Sequence, residues 1–171
     1  VRLADGTTIP ADMVLVAIGA VPVDGLAKAA GLDCQDGILV DAATRTSAPD
    51  IHAAGDCTRF ASGVFGRSIR LESVQNAIDQ AKAAASAMLG QPVAYDPLPW
   101  FWSDQFDIKL QIAGLSEGHA RAEVSGDPTT KSFAVSYVST DGVLLAVDAI
   151  NNPRAHMLAR KAVGKPYQPA A

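Results

Sequence analysis

The stretch from Gly90 to Trp100, "GQPVAYDPLPW", carries Pro92, Pro97 and Pro99. Proline fixes φ and has no N–H to donate, so neither a helix nor a central strand continues through it. The chain is therefore divided here. The patterns on the two sides differ in kind. Upstream, apolar residues come in near-continuous runs such as "MVLVAIG" (13–19), which suits strands covered on both faces. Downstream they alternate with polar residues, which suits an antiparallel sheet with one buried face. The expected fold is an α/β unit followed by an α+β unit.

Upstream, Val1–Leu3 and Thr8–Ile9 read as short strands joined by Asp5-Gly6, a favoured hairpin turn. "GILVD" (37–41) and "DIHAAG" (50–55) read as further strands. "DGLAKAAG" reads as a short helix with Asp24 as N-cap and Gly31 as its stop. A long helix follows in "RLESVQNAIDQAKAAASAMLG", capped by Ser73 and ended by Gly90. Leu71, Val74, Ile78, Ala81, Ala85 and Met88 fall on one helical face, the face expected to pack on a sheet.

Downstream, "DIKLQIAGL" sets Ile108, Leu110 and Ile112 against Lys109 and Gln111, one strand with one buried face. "KSFAVSYVSTDGVLLAVDAI" is a hairpin about Asp141-Gly142. Phe133, Val135 and Tyr137 share a face of its first strand, and Val143, Leu145 and Val147 a face of its second. "NPRAHMLARKAVG" is a helix with Asn152 as N-cap and Pro153 in its first turn. Its apolar arc is Ala155, Leu158, Ala159, Ala162 and Val163; Arg154, Arg160, Lys161 and Lys165 lie opposite, with no acid between 154 and 165.

Bulk properties exclude several functions. A net charge of −4 argues against a nucleic-acid binder that relies on bulk electrostatics. The longest apolar runs contain Gly and Pro and are too short to span a bilayer, and no signal peptide is expected. Cys34 and Cys57 form neither a Cys-x-x-Cys pair nor a metal-spaced cluster, and His52, His119 and His156 have no metal-like spacing. No metal site and no disulfide is expected; both thiols read as buried and reduced, in a cytoplasmic setting. The opening "VRLADGTTIP" lacks an initiator Met and starts inside a strand-turn-strand pattern, which reads as the interior of a longer polypeptide.

"SAPDIHAAGDC" (47–57) is the strongest candidate for a site. Gly55 lets a ligand approach the backbone, and the Asp56 carboxylate accepts hydrogen bonds from hydroxyls. In open α/β sheets such ligands lie beyond the carboxyl ends of strands. Taken alone, Asp56 fits a turn-capping role as well.

The surroundings decide between these. Thr46, Ala53, Gly55 and Asp56 are spaced T-x-x-x-x-x-x-A-x-G-D, preceded by "VAIGAVP" and followed by "RLESVQNAIDQA". Together these resemble the flavoprotein reductases with two dinucleotide-binding domains. "LPWFWSDQFDIKLQIAGL" narrows the resemblance to ferredoxin reductases of the putidaredoxin and rhodocoxin reductase type, along essentially the whole chain. Ile18 departs from the Thr usual in the A-T-G loop.

The resemblance implies FAD as cofactor, NAD(P)H as hydride donor and an iron–sulfur ferredoxin as acceptor, serving a cytochrome P450 or a ring-hydroxylating oxygenase. It implies residues 1–19 as the end of the NAD(P)-binding domain, 20–97 as the C-terminal half of the FAD-binding domain, and 98–171 as a C-terminal α+β reductase domain. Cofactor contacts fall on Gly19, Gly55, Asp56, Glu72, Val74 and Trp102: Asp56 at the ribityl chain, Val74 at the pyrimidine edge, and Trp102 near the isoalloxazine with Phe101 beside it. Trp100 is assigned to packing. No residue of the chain is assigned a catalytic role. The resemblance leaves NADH against NADPH, and monomer against homodimer, open.

These residues contain no G-x-G-x-x-G, so the phosphate-cradling loops are expected elsewhere in the polypeptide, and this chain alone is not expected to retain FAD. The active-site Cys pair and the His-Pro-Thr motif of dithiol reductases are also lacking, which favours direct electron transfer from flavin to acceptor. The alternatives are a cofactor-free docking or oligomerisation module, and a different flavin oxidoreductase. The basic face of the last helix suits docking of an acidic ferredoxin; a solvated helix face with cations near its C-terminus is the other reading.

Overall fold

The computed structural model describes residues 1–169. The upstream part holds α1 (Gly25–Ala29), β1 (Ile38–Val40), β2 (Thr58–Ser62), β3 (Arg67–Ile69) and α2 (Val74–Met88). β1 pairs parallel with β2, and β2 pairs antiparallel with β3. Val40, Phe60, Ile69, Leu71, Ala83 and Tyr95 form the core. Phe60 and Tyr95 meet edge to face at 5.3 Å. Ser73 caps α2, its side chain accepting from Asn76 N at 3.1 Å.

The downstream part is a five-stranded antiparallel sheet in the order β4 (Trp100–Gln105), β5 (Ile108–Gly114), β8 (Leu144–Ile150), β7 (Ser132–Val138), β6 (Arg121–Asp127). α3 (Pro153–Ala162) covers one face, and Asn152 caps it by accepting from Ala155 N at 3.1 Å. The core between them is Ala113, Ala134, Leu144, Val147, Ala149 and Ala159. Alanines on both sides let helix and sheet approach closely.

The two parts are seated on each other. Phe101 and Leu115 pack against the upstream core, and Arg67 pairs with Glu117 at 2.6 Å. The linker is held by Tyr95, whose hydroxyl donates to Asn76 Oδ1 at 2.8 Å while Asn76 Nδ2 donates to Leu71 O at 3.0 Å. Burial raises the Tyr95 phenol well above its ordinary pKa. This seating brings β4, and Trp102 with it, to the start of α2.

Several sequence expectations are corrected. "MVLVAIG" (13–19) is not a covered strand; it runs as exposed chain, with Leu15 88% and Ile18 91% exposed, because no described residue pairs with it or covers it. Val1–Leu3 and Thr8–Ile9 reduce to the single bridge Arg2–Thr8, and "DIHAAG" (50–55) to the bridge His52–Arg45. Asp24 precedes α1, but its carboxylate pairs with Lys28 at 2.8 Å instead of capping. The inward face of α2 is Asn76, Gln80, Ala83, Ala84 and Ala87, while Val74, Ile78 and Met88 point outward. Apolar periodicity chose the wrong face there because hydrogen bonds hold Asn76 and Gln80 inside.

In β8 the expected face Val143, Leu145 and Val147 is broken: the strand begins at Leu144, a register shift falls at Tyr137/Val138, and Leu144 joins Val147 in the core with α3. Val147 lies opposite Ser136 and faces α3, whereas Phe133 and Tyr137 pair with Ile150 and Ala146 on the other side. Leu158 lies outside the buried arc of α3, at 54% exposed. Cys34 and Cys57 are half-buried, not buried.

Candidate functional site

Gly55 takes φ +91°, a conformation that L side chains rarely adopt, and so turns the chain into β2. The turn closes where Thr58 N donates to Gly55 O at 3.0 Å. Gln80, from the buried face of α2, accepts from Gly55 N at 2.8 Å. Thr46 works locally, donating to Ile51 O at 2.9 Å. Asp56 is left exposed, and its carboxylate accepts no hydrogen bond from any described residue.

Opposite stands the N-terminus of α2. Only its third N–H is capped, by Ser73, which leaves Val74 N–H and Gln75 N–H without acceptors among the described residues. Glu72, just before the cap, is ion-paired with Arg70, which also reaches Asp36 at 3.4 Å. The third wall is β4, where Trp102 is 46% exposed and Phe101 lies beside it. Asp56, Glu72, Ser73, Val74, Ala77, Phe101 and Trp102 line one cleft of about 430 Å³, within the range of small-molecule sites.

The cleft therefore gathers Asp56, Glu72, Val74 and Trp102, with Gly55 behind Asp56 shaping the turn. It does not gather Gly19, which lies in the exposed upstream segment with nothing within 4 Å of where a Cβ would stand. Sequence reasoning missed Gln80; a polar residue inside an alanine-rich helix was its only signal.

Behind the cleft is an aromatic layer. The rings of Trp100 and Trp102 are 5.5 Å apart, and Trp100 packs on His156 at 6.0 Å. The Arg160 guanidinium sits 5.0 Å over the Trp100 ring. Burial, and then the nearby Arg160 charge, hold the His156 pKa below its ordinary value. Arg154, Arg160, Lys161 and Lys165 are exposed, and none forms a salt bridge with a described residue. No group of side chains suited to a metal ion occurs among the described residues, and no described helix is long and apolar enough to cross a membrane.

This arrangement can do three things. A carboxylate with free acceptor capacity receives hydroxyls, a helix N-terminus stabilises negative charge, and an indole screens a flat ring from water.

Two family models match. Pyridine nucleotide-disulphide oxidoreductase covers residues 1–81, and reductase C-terminal covers 100–171. The chain is 46% identical over 167 residues to the 5,5'-dehydrodivanillate O-demethylase ferredoxin reductase subunit of Sphingobium sp. strain NBRC 103272 / SYK-6, covering 95% of this chain and 40% of that protein. It is 46% identical over 149 residues to putidaredoxin reductase CamA of Pseudomonas putida, covering 87% of this chain and 35% of that protein. The crystal structure of the ferredoxin reductase for the CYP199A2 system from Rhodopseudomonas palustris superposes with a TM-score of 0.86 at 43% identity, over 94% of this chain and 39% of that one. The reductase in the covalent putidaredoxin reductase–putidaredoxin complex superposes at 0.83 and 42%, over 92% and 38%. The chain thus spans about 40% of the length of these relatives.

Proposed function

Because residues 1–81 match the pyridine nucleotide-disulphide oxidoreductase model and residues 100–171 the reductase C-terminal model, we propose that the chain is the flavin-edge and acceptor-docking portion of an NAD(P)H-dependent FAD ferredoxin reductase. The convergence of Asp56, the α2 N-terminus and Trp102 on one cleft carries this reading. Residues 1–19 are assigned to the end of the NAD(P)-binding domain, 20–97 to the second half of the FAD-binding domain and 98–171 to the C-terminal domain. The acceptor is an iron–sulfur ferredoxin serving an oxygenase; putidaredoxin, captured with its reductase in a solved complex, is the analogy. The half-buried free thiols Cys34 and Cys57 suit a reducing, cytoplasmic setting.

The fit of the group rests on this chain's own atoms. Bound FAD would accept hydride from NAD(P)H and release electrons singly. Asp56 would accept hydrogen bonds from the ribityl hydroxyls, its carboxylate having no protein partner among the described residues. The α2 N-terminus, through Val74 N–H and Gln75 N–H, would face the pyrimidine edge, where reduction gathers negative charge. Such a terminus contributes about 0.3–1 kcal/mol when exposed and up to ~2 kcal/mol when partly buried, favouring the reduced state. Trp102 would cover the ring and exclude water. Arg160 lies over Trp100, and the exposed Arg154, Lys161 and Lys165 on α3 and just beyond it add further positive charge that would suit an acidic ferredoxin.

Titrating FAD into the apo form of the full-length polypeptide is expected to quench tryptophan fluorescence, and Trp102→Ala to weaken the FAD affinity read from that quenching. Wild-type affinity in Trp102→Ala would put the flavin elsewhere.

A further inference from the structure

Gln80 is fully buried on the inner face of α2. Its Oε1 lies 2.8 Å from Gly55 N and 2.8 Å from Thr58 Oγ1. An amide N–H can only donate, so Gly55 fixes the orientation of the Gln80 carboxamide: oxygen toward the turn, nitrogen away. Nε2 is buried without a hydrogen-bond partner among the described residues. A buried, unpaired N–H carries a desolvation penalty that an apolar side chain of the same length would avoid. Methionine or leucine would avoid that penalty but would leave the buried Gly55 N–H without an acceptor. What the glutamine supplies instead is one acceptor oxygen, placed at the turn that presents Asp56.

That oxygen ties two walls of the cleft together. A Cβ built on Gly55 would stand 3.9 Å from Ala77 Cβ, ordinary van der Waals contact, so Gly55 lies against α2. The hydrogen bond from Gly55 N to Gln80 Oε1 spans 25 residues and joins the Asp56 turn to the helix whose N-terminus is the opposite wall. Thr58 Oγ1, at the first residue of β2, lies 2.8 Å from the same oxygen and 2.8 Å from Gly55 O, so its single proton is shared between the two.

We propose that Gln80 is a positioning residue for the flavin site, fixing the distance between Asp56 and the N-terminus of α2 through its Oε1. This rests on the function proposed above. The test is a double-mutant cycle on FAD affinity in the full-length polypeptide, with wild type, Gln80→Met, Asp56→Asn and the double variant titrated with FAD. Gln80→Met is expected to weaken FAD binding roughly tenfold, about the loss of one hydrogen bond to a charged partner. In the Asp56→Asn background the same change is expected to have little further effect, because a residue acting through Asp56 has nothing left to position. A full, additive loss in both backgrounds overturns the proposal, as does wild-type affinity in Gln80→Met. Wild-type affinity in Asp56→Asn overturns the flavin reading itself, and the proposal with it. Should Gln80→Met fail to fold, Thr58→Val removes one of the two donors from the other side. It is expected to show a smaller loss that likewise disappears with Asp56→Asn; an additive loss or none overturns the proposal.

Discussion

Reversing Lys161 and Lys165 to Glu tests the docking face directly. Arg154, Arg160, Lys161 and Lys165 supply four positive charges between residues 154 and 165, where there is no acid. None is neutralised by a salt bridge with a described residue. The double reversal leaves that stretch with no net charge. Exposed charge pairs contribute about 0.2–1 kcal/mol each. Two attractions become two repulsions, so docking of an acidic ferredoxin should weaken by about 1–4 kcal/mol, or roughly 5- to 700-fold, at low salt. Screening limits the effect: the Debye length falls from about 10 Å at 0.1 M salt to about 3 Å at 1 M. The assay is stopped-flow reduction of ferredoxin by the full-length polypeptide across that range of ionic strength. The variant should be slow at low salt, approach wild type at high salt and show a flatter salt dependence. An unchanged low-salt rate with an unchanged salt slope would refute the reasoning.

Two further perturbations probe what holds the site in place. His156 has its folded-state pKa held below 6.5 by burial and then by Arg160, partly offset by the Ile112 carbonyl. The folded state therefore binds this proton less readily than the unfolded state, so the stability it contributes is complete above about pH 6.5 and is lost as pH falls through the folded pKa. Urea midpoints between about pH 8 and pH 5 should fall on the acid side in wild type and fall less in His156→Phe; equal slopes would contradict this. Gly114→Ala places a Cβ 2.1 Å from Leu145 O at φ +85°. Left-handed backbone alone costs ~1–2 kcal/mol for a non-glycine residue, and the clash adds to it. Its thermal midpoint should drop well below that of Gly25→Ala, since Gly25 has nothing within 4 Å of the added carbon; equal midpoints would contradict the geometry.

The downstream fold was the more legible part of the sequence, because an antiparallel sheet with one helix is largely specified by short-range patterns. Asp141-Gly142 and the Asn152-Pro153 cap are local, and both appear where the sequence put them; in β5 the alternation chose the wrong face, since Ala113, in step with Lys109 and Gln111, is the residue buried in the core with α3, while Ile108, Leu110 and Ile112 are half-buried on the other side. β6 escaped notice because it is an exposed edge carrying Arg121, Glu123 and Asp127 instead of an apolar stripe. Upstream, local pattern misled. "MVLVAIG" is strand-like in composition, but a strand needs partners, and no described residue provides them. On α2, hydrogen bonds at Asn76 and Gln80 outweighed the apolar periodicity. Asp56, Glu72, Val74 and Trp102 were legible as a set only through the family resemblance, and they line one cleft. Gln80 was not legible, since its importance lies in a contact with Gly55 that no local pattern announces.

The central claim is that this chain helps to pass electrons from a reduced nicotinamide to a ferredoxin through a flavin held at Asp56, Val74 and Trp102. Its most direct test is cytochrome c reduction by the full-length polypeptide, with NADH or NADPH as donor, and with FAD and ferredoxin each added or omitted. Turnover is expected only when flavin and ferredoxin are both present. Equal turnover without ferredoxin, or full turnover by protein stripped of flavin, would contradict the claim.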